Sequence, residues 1–308
     1  MLTHPTVYDT DIGVELSDAF ALALLCRSRA EIGRTAVTVG FGDVAARAVI
    51  AREIIEHASP SRVPEMPVYG GCFGTMASQP DQEALSAHLC YGPVKGLPIA
   101  NVSGETPDSG IDHHAMALRE GRAVLTTGPL TNLGVSLLML SSIGWKNNNP
   151  KVICVAGNFE DNDHCRYVRQ DPEAARLVFQ SGLPVSTIPP ALAKTLTLCR
   201  DDLERLEASE HELPQLLVQF VRDCHGEGDL PESVAMTDVA SVLALLDESL
   251  FTWQQGEVTV HLGAGEQYGL TSFSRGDGAH RVAIGLDHEA AHALLMEKLL
   301  AAPILSSQ

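Results

Sequence analysis

The first predicted unit of the fold is residues 6–25, which read TVYDTDIGVELSDAFALALL. The apolar start of this stretch predicts a short strand, and the apolar run at residues 19–25 predicts a helix that is buried on several faces. An acidic turn with three aspartates and one glutamate lies between them, at residues 9–18. A strand that leads through a short turn into a buried helix is typical of α/β proteins.

The same alternation of short apolar runs and helical patterns continues along the chain. We predict strands at residues 35–39, 66–69, 123–126, 152–155 and 184–188, and helices at residues 44–57, 130–140, 172–180 and 289–300. This alternation predicts an open, mostly parallel, twisted sheet that is flanked by helices, with a Rossmann-like core. Ligands of such sheets bind at the carboxyl ends of the strands.

The rest of the chain fits the same domain. The helix-rich stretch at about 195–236 is expected to form a cap or lid over that edge of the sheet. Residues 257–261 and 267–273 are expected to form a small C-terminal β-ribbon. No internal repeat and no linker divides the sequence, so residues 1–308 are expected to form a single α/β domain.

Composition excludes several classes of function. The chain has 308 residues, with 21 Lys and Arg against 39 Asp and Glu, and its formal net charge is −18. Nucleic acids and anionic membranes attract positive charge, so neither is an expected partner. No run reaches the roughly 18 apolar residues of a membrane helix, and residues 1–5 lack the basic start of a signal peptide. We therefore expect a cytoplasmic protein whose seven cysteines are reduced.

The acidic turn has the chemistry of a cation site. Carboxylates this close repel each other unless a cation or hydrogen bonds compensate. Gly13 allows the backbone to fold back, which would bring Asp18 near Asp11. Ligands that are all oxygen favour Ca²⁺ or Mg²⁺. The alternative is a helix start capped by Ser17 with Asp18 in the first turn, but this leaves Asp9 and Asp11 unexplained.

Three further motifs follow the acidic turn along the chain. They are TTGPLTN at residues 126–132, DPEAA at residues 171–175, and TD at residues 237–238, where an apolar helix opens. Together with DTDIG at residues 9–13 and DA at residues 18–19, their order and spacing resemble the inosine–uridine-preferring nucleoside hydrolases. The resemblance spans most of the chain. It implies that family's α/β fold and self-association into a homodimer or homotetramer.

The resemblance also implies a calcium site and a reaction. The family holds one Ca²⁺ per chain, and its ligands correspond here to Asp11, Asp18, the backbone carbonyl of Thr127, and Asp238. Asp9 corresponds to a carboxylate that orients these ligands. In the implied reaction, Asp11 takes a proton from the water that attacks the anomeric carbon. The N-glycosidic bond of a ribonucleoside or related N-riboside then breaks, giving free base and sugar.

The substrate pocket implied by the resemblance is altered. Ser17 stands where the family has an aspartate that binds a ribose hydroxyl. Two other implied substrate-binding positions differ as well: Asp43 replaces an asparagine and Tyr91 replaces a histidine. Cys165 and Tyr167 stand where the family has a Glu-x-Asn pair, and Thr237 replaces a second histidine. Asn158 is the asparagine that the family has at its position. A pocket built from hydrogen bonds discriminates strongly when its polar groups change. Either the substrate is not an ordinary ribonucleoside, or the chain is a catalytically impaired relative that only binds a nucleoside-like ligand.

A more remote alternative is a magnesium-dependent phosphohydrolase of the haloacid dehalogenase type, which also begins with Asp-x-Asp at a strand end. Gly13 stands where that class has threonine or valine. Among other polar residues, His113 and His114 are expected to be exposed in a polar loop, and His164 is a candidate to face the substrate. Cys165 is not expected to be a nucleophile: its thiol would need a nearby base and an electropositive setting, and the base that the sequence offers, His164, is the adjacent residue, whose side chain commonly points away.

Overall fold

The computed structural model describes residues 6–59, 66–77, 88–97, 109–160, 163–226 and 228–303. Its strands are β1 (Thr6–Thr10), β2 (Thr35–Val39), β3 (Val68–Gly70), β4 (Val124–Thr126), β5 (Val152–Val155), β6 (Val185–Ile188), β7 (Thr197–Cys199), β8 (Ser233–Ala235), β9 (Phe251–Val260), β10 (Thr271–Arg275) and β11 (His280–Leu286). Its helices are α1 (Leu16–Arg27), α2 (Arg29–Ile32), α3 (Val44–Ala58), α4 (Ile111–Arg119), α5 (Thr131–Ser142), α6 (Arg166–Gln170), α7 (Pro172–Gln180), α8 (Pro190–Ala193), α9 (Arg200–Glu207), α10 (Glu212–His225), α11 (Val239–Leu246) and α12 (His288–Leu300).

Nine of these strands form one sheet in the order β10-β9-β11-β6-β5-β4-β1-β2-β3. Every neighbouring pair from β3 to β11 is parallel, whereas β9 pairs antiparallel with both β10 and β11. All residues of β1, β2, β4, β5 and β6 are buried, as expected for parallel strands covered on both faces. The predicted α/β fold is confirmed.

Helices pack along this sheet in two groups. The buried helix α1 contacts α3, α10, α11 and α12, while α5 contacts α4 and α7. Every residue of α1 is buried, which agrees with the apolar run at residues 19–25 that forms most of the helix. Among the described ranges, no helix combines the length and the apolar character needed to cross a bilayer.

The end of the chain is more closely joined to the sheet than the sequence predicts. The expected ribbon is present as the antiparallel pair of β9 and β10. A third strand, β11, pairs with β9 and also with β6, so the ribbon extends the main sheet. The stretch at 195–236 holds α9 and α10 together with the two-stranded sheet of β7 and β8, and α10 packs against α1 and α3.

The strand order determines where a site can form. The chain passes from β1 outward to β2 and β3, and then resumes with β4 on the other side of β1. The sheet therefore has its switch point between β1 and β4, where the crevice at the strand ends binds ligands in such folds. Asp9 lies opposite Thr126 in this pair of strands, so the acidic turn and the TTGPLTN motif meet at the switch point.

Candidate active site

The acidic turn is held by a buried arginine that sequence analysis did not single out. Arg47 of α3 donates hydrogen bonds to the backbone carbonyls of Asp11 and Ile12, the latter at 2.6 Å. Gly13 has φ of +123°, and an added Cβ there would lie 2.5 Å from a methyl group of Leu89. Only glycine fits this close, left-handed position, so the turn is fixed by its backbone contacts as well as by its charges.

Asp18 lies buried beside the end of β1. Its Oδ1 accepts a hydrogen bond from the Thr10 hydroxyl at 2.5 Å and lies 3.1 Å from the Thr127 hydroxyl. Burial raises the pKa of Asp18, and the nearby carboxylates of Asp238 and Asp11 raise it further. The structure thus brings the start of α1 and the residue after β4 together, as the resemblance implies.

Asp238 joins the same cluster from the far end of the chain. It precedes α11, but its side chain does not cap that helix and instead accepts hydrogen bonds from Ser17 and, at 3.3 Å, from Tyr167. Burial raises the pKa of Asp238, and the charge of Glu15 adds to this. The alternative in which Ser17 caps α1 is wrong, because Glu15 occupies the capping position and Ser17 lies inside the first turn.

Asp9 and His114 form a buried pair behind the cluster. Asp9 Oδ1 accepts a hydrogen bond from Asn132 at 2.8 Å, while its Oδ2 lies 3.9 Å from His114 Nε2. Burial raises the pKa of Asp9 to about 8 and lowers that of His114 to about 3. The expected exposure of these histidines is wrong: α4 turns His114 fully inward, and His113 is half-buried against the Tyr69 ring, with ring centres 3.8 Å apart.

A second arginine enters the site from the cavity side. Arg166 donates a hydrogen bond to the Glu15 carboxylate, and its Nη2 lies 3.8 Å from Asp11 Oδ2. Burial lowers the pKa of Arg166, but the charges of Asp11 and Glu15 outweigh this and raise it overall. Sequence reasoning missed Arg166. The only available signal was a basic residue between two pocket positions, Cys165 and Tyr167.

A cavity of about 350 Å³ opens beside this cluster. This volume is in the usual range for a small-molecule site. Four of the predicted substrate-binding residues line it, and so does His164. The full lining is Glu15, Gly157, Asn158, Asp163, His164, Cys165, Arg166, Tyr167, Pro190, Ala191, Lys194 and Thr237. Burial raises the pKa of the Cys165 thiol, which agrees with the expectation that it is not a nucleophile.

Two predicted pocket residues have other roles in the described structure. The Tyr91 hydroxyl accepts a hydrogen bond from Gly13 N at 3.1 Å and donates one to the Glu15 carbonyl at 2.9 Å. The Asp43 carboxylate caps α3 by accepting a hydrogen bond from Ala46 N at 2.9 Å. Neither residue is in the lining of the cavity, so their contribution here is to support the backbone around it.

The third motif, DPEAA, is also structural. Asp171 caps α7 by accepting a hydrogen bond from Ala174 N at 3.1 Å. Its other oxygen accepts hydrogen bonds from the Thr131 hydroxyl at 2.7 Å and from Met76 N at 2.8 Å. Because Thr131 begins α5 next to Asn132, Asp171 helps to position the amide that holds Asp9.

The donor chemistry of the cluster fits a hard cation. Asp18 and Asp238 are buried, their pKa values are raised by nearby negative charges that include Asp11, and hydroxyl groups donate hydrogen bonds to them. Oxygen donors of this kind are the ligands that Ca²⁺ prefers. Within the part of the chain that the structure describes, no three His, Cys, Asp or Glu side chains are gathered as closely as a metal site requires. Ca²⁺ would therefore have to draw the carboxylates together.

Known proteins resemble this chain over most of its length. The family model described as inosine-uridine preferring nucleoside hydrolase matches residues 6–293. Uridine nucleosidase 1 of Arabidopsis thaliana is 26% identical, over 82% of this chain and 77% of its own length. The pyrimidine-specific ribonucleoside hydrolase RihA of Shewanella woodyi is also 26% identical, over 88% of this chain and 90% of its own length.

Solved structures share the fold. A plant nucleoside hydrolase superposes with a TM-score of 0.77 at 23% identity, covering 97% of this chain and 100% of its own. A purine-preferring ribonucleoside hydrolase from Gardnerella vaginalis gives a TM-score of 0.75 at 18% identity, covering 96% of this chain and 98% of its own. With the fold, the four motifs and the family match in agreement, the chain belongs to the inosine-uridine preferring nucleoside hydrolase family and is an enzyme of the N-glycosyl hydrolase class.

Proposed function

We propose that this protein is a calcium-dependent hydrolase that cleaves the N-glycosidic bond of a ribonucleoside or related N-riboside, giving free base and sugar. One observation carries the proposal. The buried carboxylates of Asp11, Asp18 and Asp238 lie within electrostatic range of one another near the switch point of the sheet. Arg166 and Tyr167, which contact Asp11 and Asp238, line a cavity of about 350 Å³. The relatives named for uridine and pyrimidine ribonucleosides support a nucleoside substrate and make uridine the first compound to test.

We propose that one Ca²⁺ per chain is held by Asp11, Asp18, Asp238 and the backbone carbonyl of Thr127, with Asp9 behind them. Such an ion, when bound, supplies positive charge that orients hydroxyl groups and lowers the pKa of water. The buried, mutually repelling carboxylates support this assignment, because an added cation relieves their repulsion.

The chain's own residues supply the remaining chemistry. Asp11 is the proposed general base, accepting the proton of the attacking water. Positive charge develops on the sugar ring as the bond to the base breaks, and the surrounding carboxylates stabilise it. This electrostatic stabilisation needs no movement of charge in the protein during the reaction.

Glu15 is the proposed replacement for the family's missing pocket carboxylate. Ser17 occupies that position but donates its hydroxyl to Asp238. Glu15 lines the cavity, where its oxygens contact Arg166 and, at 3.5 Å, Tyr167. A carboxylate held in this way can accept a hydrogen bond from a sugar hydroxyl. Asn158, Tyr167, Cys165 and Thr237 complete the proposed wall of the pocket.

The test is to incubate the protein with a panel of purine and pyrimidine nucleosides, with Ca²⁺ or with a chelator, and to measure free base and reducing sugar. Release of both products that requires Ca²⁺ supports the proposal. Nucleoside binding without release of base would identify a catalytically impaired relative. Release of phosphate from phosphate esters, without cleavage of any nucleoside, would instead identify a phosphohydrolase.

Two broader expectations belong with this proposal. We propose a cytoplasmic location and assembly into a homodimer or homotetramer. The oligomeric state can be measured by analytical ultracentrifugation at several protein concentrations, and a strictly monomeric protein would contradict the proposed assembly.

A further inference from the structure

The loop that carries Tyr91 packs against helix α10, and none of its described residues lines the proposed substrate cavity. The Tyr91 ring lies 4.8 Å from the Phe220 ring, measured between ring centres. The amide of the next residue, Gly92, donates to Asp223 Oδ2 at 3.4 Å, and Lys95 Nζ lies 3.3 Å from Asp223 Oδ1. These contacts hold the loop and the last turn of α10 side by side.

Two cysteines face each other at this contact. Cys90 precedes Tyr91 and Cys224 follows Asp223, so the contacts of Gly92 and Lys95 with Asp223 place the two cysteines on facing segments. Their thiols interact with each other across this contact. Both side chains are half-buried and free, so small reagents can reach them. We propose that Cys90 and Cys224 form a reversible disulfide and that this pair is a redox modification site of the protein.

The pair is asymmetric in a way that suits this chemistry. The hydrogen bond from Cys224 lowers the pKa of Cys90, burial opposes this, and the charge of Lys95 adds to the lowering; together they leave a pKa of about 7. The pKa of Cys224 is raised, first by its bond with Cys90 and then by burial. Cys90 is therefore the thiolate that reacts first near neutral pH, and Cys224 is the thiol that resolves the product.

The oxidant in the proposed reaction is a small-molecule disulfide such as oxidised glutathione. The Cys90 thiolate attacks one sulfur of the oxidant, whose disulfide bond breaks and releases one glutathione thiolate. The Cys224 thiolate then attacks the Cys90 sulfur in the mixed disulfide and releases the second glutathione. The two protons of the protein thiols end on the two glutathione molecules. The protein thiols are thereby oxidised by two electrons, and the glutathione disulfide is reduced by the same two electrons.

The disulfide would connect α10 to the acidic turn. Cys90 N donates a hydrogen bond to the Gly13 carbonyl at 2.7 Å, and Tyr91 bonds to Gly13 N and to the Glu15 carbonyl. A covalent link at Cys90 therefore restrains the segment that supports this turn. Because the two segments already pack together, the link forms in the folded protein and stabilises it by restricting the unfolded chain.

The experiment exposes folded protein to oxidised glutathione, blocks the remaining thiols with an alkylating agent, and maps peptides by mass spectrometry without reduction. Wild-type protein is expected to lose two alkylation sites and to yield a linked peptide pair containing Cys90 and Cys224. Dithiothreitol is expected to reverse the change. The variants Cys90→Ser and Cys224→Ser are expected to yield no internal disulfide, while Cys199→Ser, at an exposed cysteine elsewhere, behaves as wild type.

A second measurement needs no variant. Oxidation of wild-type protein is expected to raise its Tm by several degrees and to slow hydrogen exchange at the Cys90 amide. Full alkylation of both cysteines after oxidation, or a linked pair that involves other cysteines, would overturn the proposal. These readouts do not use activity, so they stand apart from the proposed hydrolase function.

Discussion

The Ser17 hydroxyl donates a hydrogen bond to the Asp238 carboxylate, although 221 positions separate the two residues. This bond joins the start of α1 to the start of α11 at the switch point of the sheet. A serine at this position supplies a neutral donor to a buried carboxylate, where an aspartate would add another negative charge. The substitution therefore changes the electrostatics of the cluster as well as the shape of the pocket.

The substitution Asp11→Asn tests the proposed general base. Removal of the proton acceptor is expected to lower kcat by about 10²- to 10⁴-fold, because an amide cannot take the proton of the attacking water. Base release from the best nucleoside of the panel measures this. Asp229→Asn, at an exposed aspartate outside the site, is the matched control and should retain full activity. Unchanged turnover in a folded Asp11→Asn variant would refute the role given to Asp11.

The substitution Gly128→Ala tests how closely Asp11 must be placed. An added Cβ at Gly128 would lie 3.1 Å from Asp11 Oδ1 and 3.2 Å from Asp11 N, so the turn has to shift. Small displacements of a reacting group can cost up to about 100-fold in rate. We expect kcat to fall by about 10- to 100-fold. The circular dichroism spectrum is expected to stay unchanged.

Gly228→Ala is the control for that experiment, because no atom lies within 4 Å of the Cβ that it adds. It should retain wild-type kcat. Equal rates for both alanine variants would show that the close approach of Gly128 to Asp11 has no catalytic consequence.

The substitution Arg166→Met tests whether this arginine competes with a divalent cation. Its guanidinium Nη2 lies 3.8 Å from Asp11 Oδ2, so a divalent cation held by Asp11 would lie near this positive charge and the two would repel each other. We expect the variant to bind Ca²⁺ about tenfold or more tightly than wild type, as measured by isothermal titration calorimetry. Arg169→Met, three residues further along the chain, is the control.

The outcomes of that titration are distinct. Weaker or equal Ca²⁺ binding by Arg166→Met would show that the arginine does not oppose the cation. If neither wild type nor variant takes up Ca²⁺, the proposed metal itself is wrong.

The substitution His114→Gln tests the effect of the buried histidine on stability. Burial and the neighbouring His113 lower the pKa of His114 to about 3, whereas an unfolded chain has a value of about 6.5. Asp9 Oδ2 is the acidic atom that faces it, at 3.9 Å. Between the two pKa values the unfolded state binds more protons than the folded state. The free energy of unfolding is therefore highest above pH 6.5, where His114 is neutral in both states, and it decreases as the pH falls toward 3.

Between pH 7 and pH 5, wild-type protein should therefore lose about 2 kcal/mol more free energy of unfolding than His114→Gln. Urea denaturation at the two pH values, in the presence of a chelator, measures both losses. Parallel pH profiles for the two proteins would show that His114 does not control acid stability.

Local patterns in the chain were sufficient for the architecture. Strands such as β1 and β5 are short, apolar and bounded by turn residues, and helices such as α3 and α7 start at capping aspartates. These signals are local, so the strand-helix alternation and the mostly parallel sheet could be predicted. The attachment of the C-terminal ribbon through β11 could not, because strand order depends on pairing between distant segments.

For the site, too, local motifs identify some residues, whereas tertiary packing decides the contacts. Asp11, Asp18, Thr127 and Asp238 stand out in the linear chain as acidic or polar residues in recognisable motifs at strand and helix ends. Which partners each side chain has was decided only by tertiary packing. No recognisable motif contains Arg47, Arg166 or His114. Their roles arise because distant elements bring them close enough to the acidic turn and its aspartates for hydrogen bonds or electrostatic interactions. Motifs are local in sequence, whereas burial and electrostatics depend on every neighbour in space.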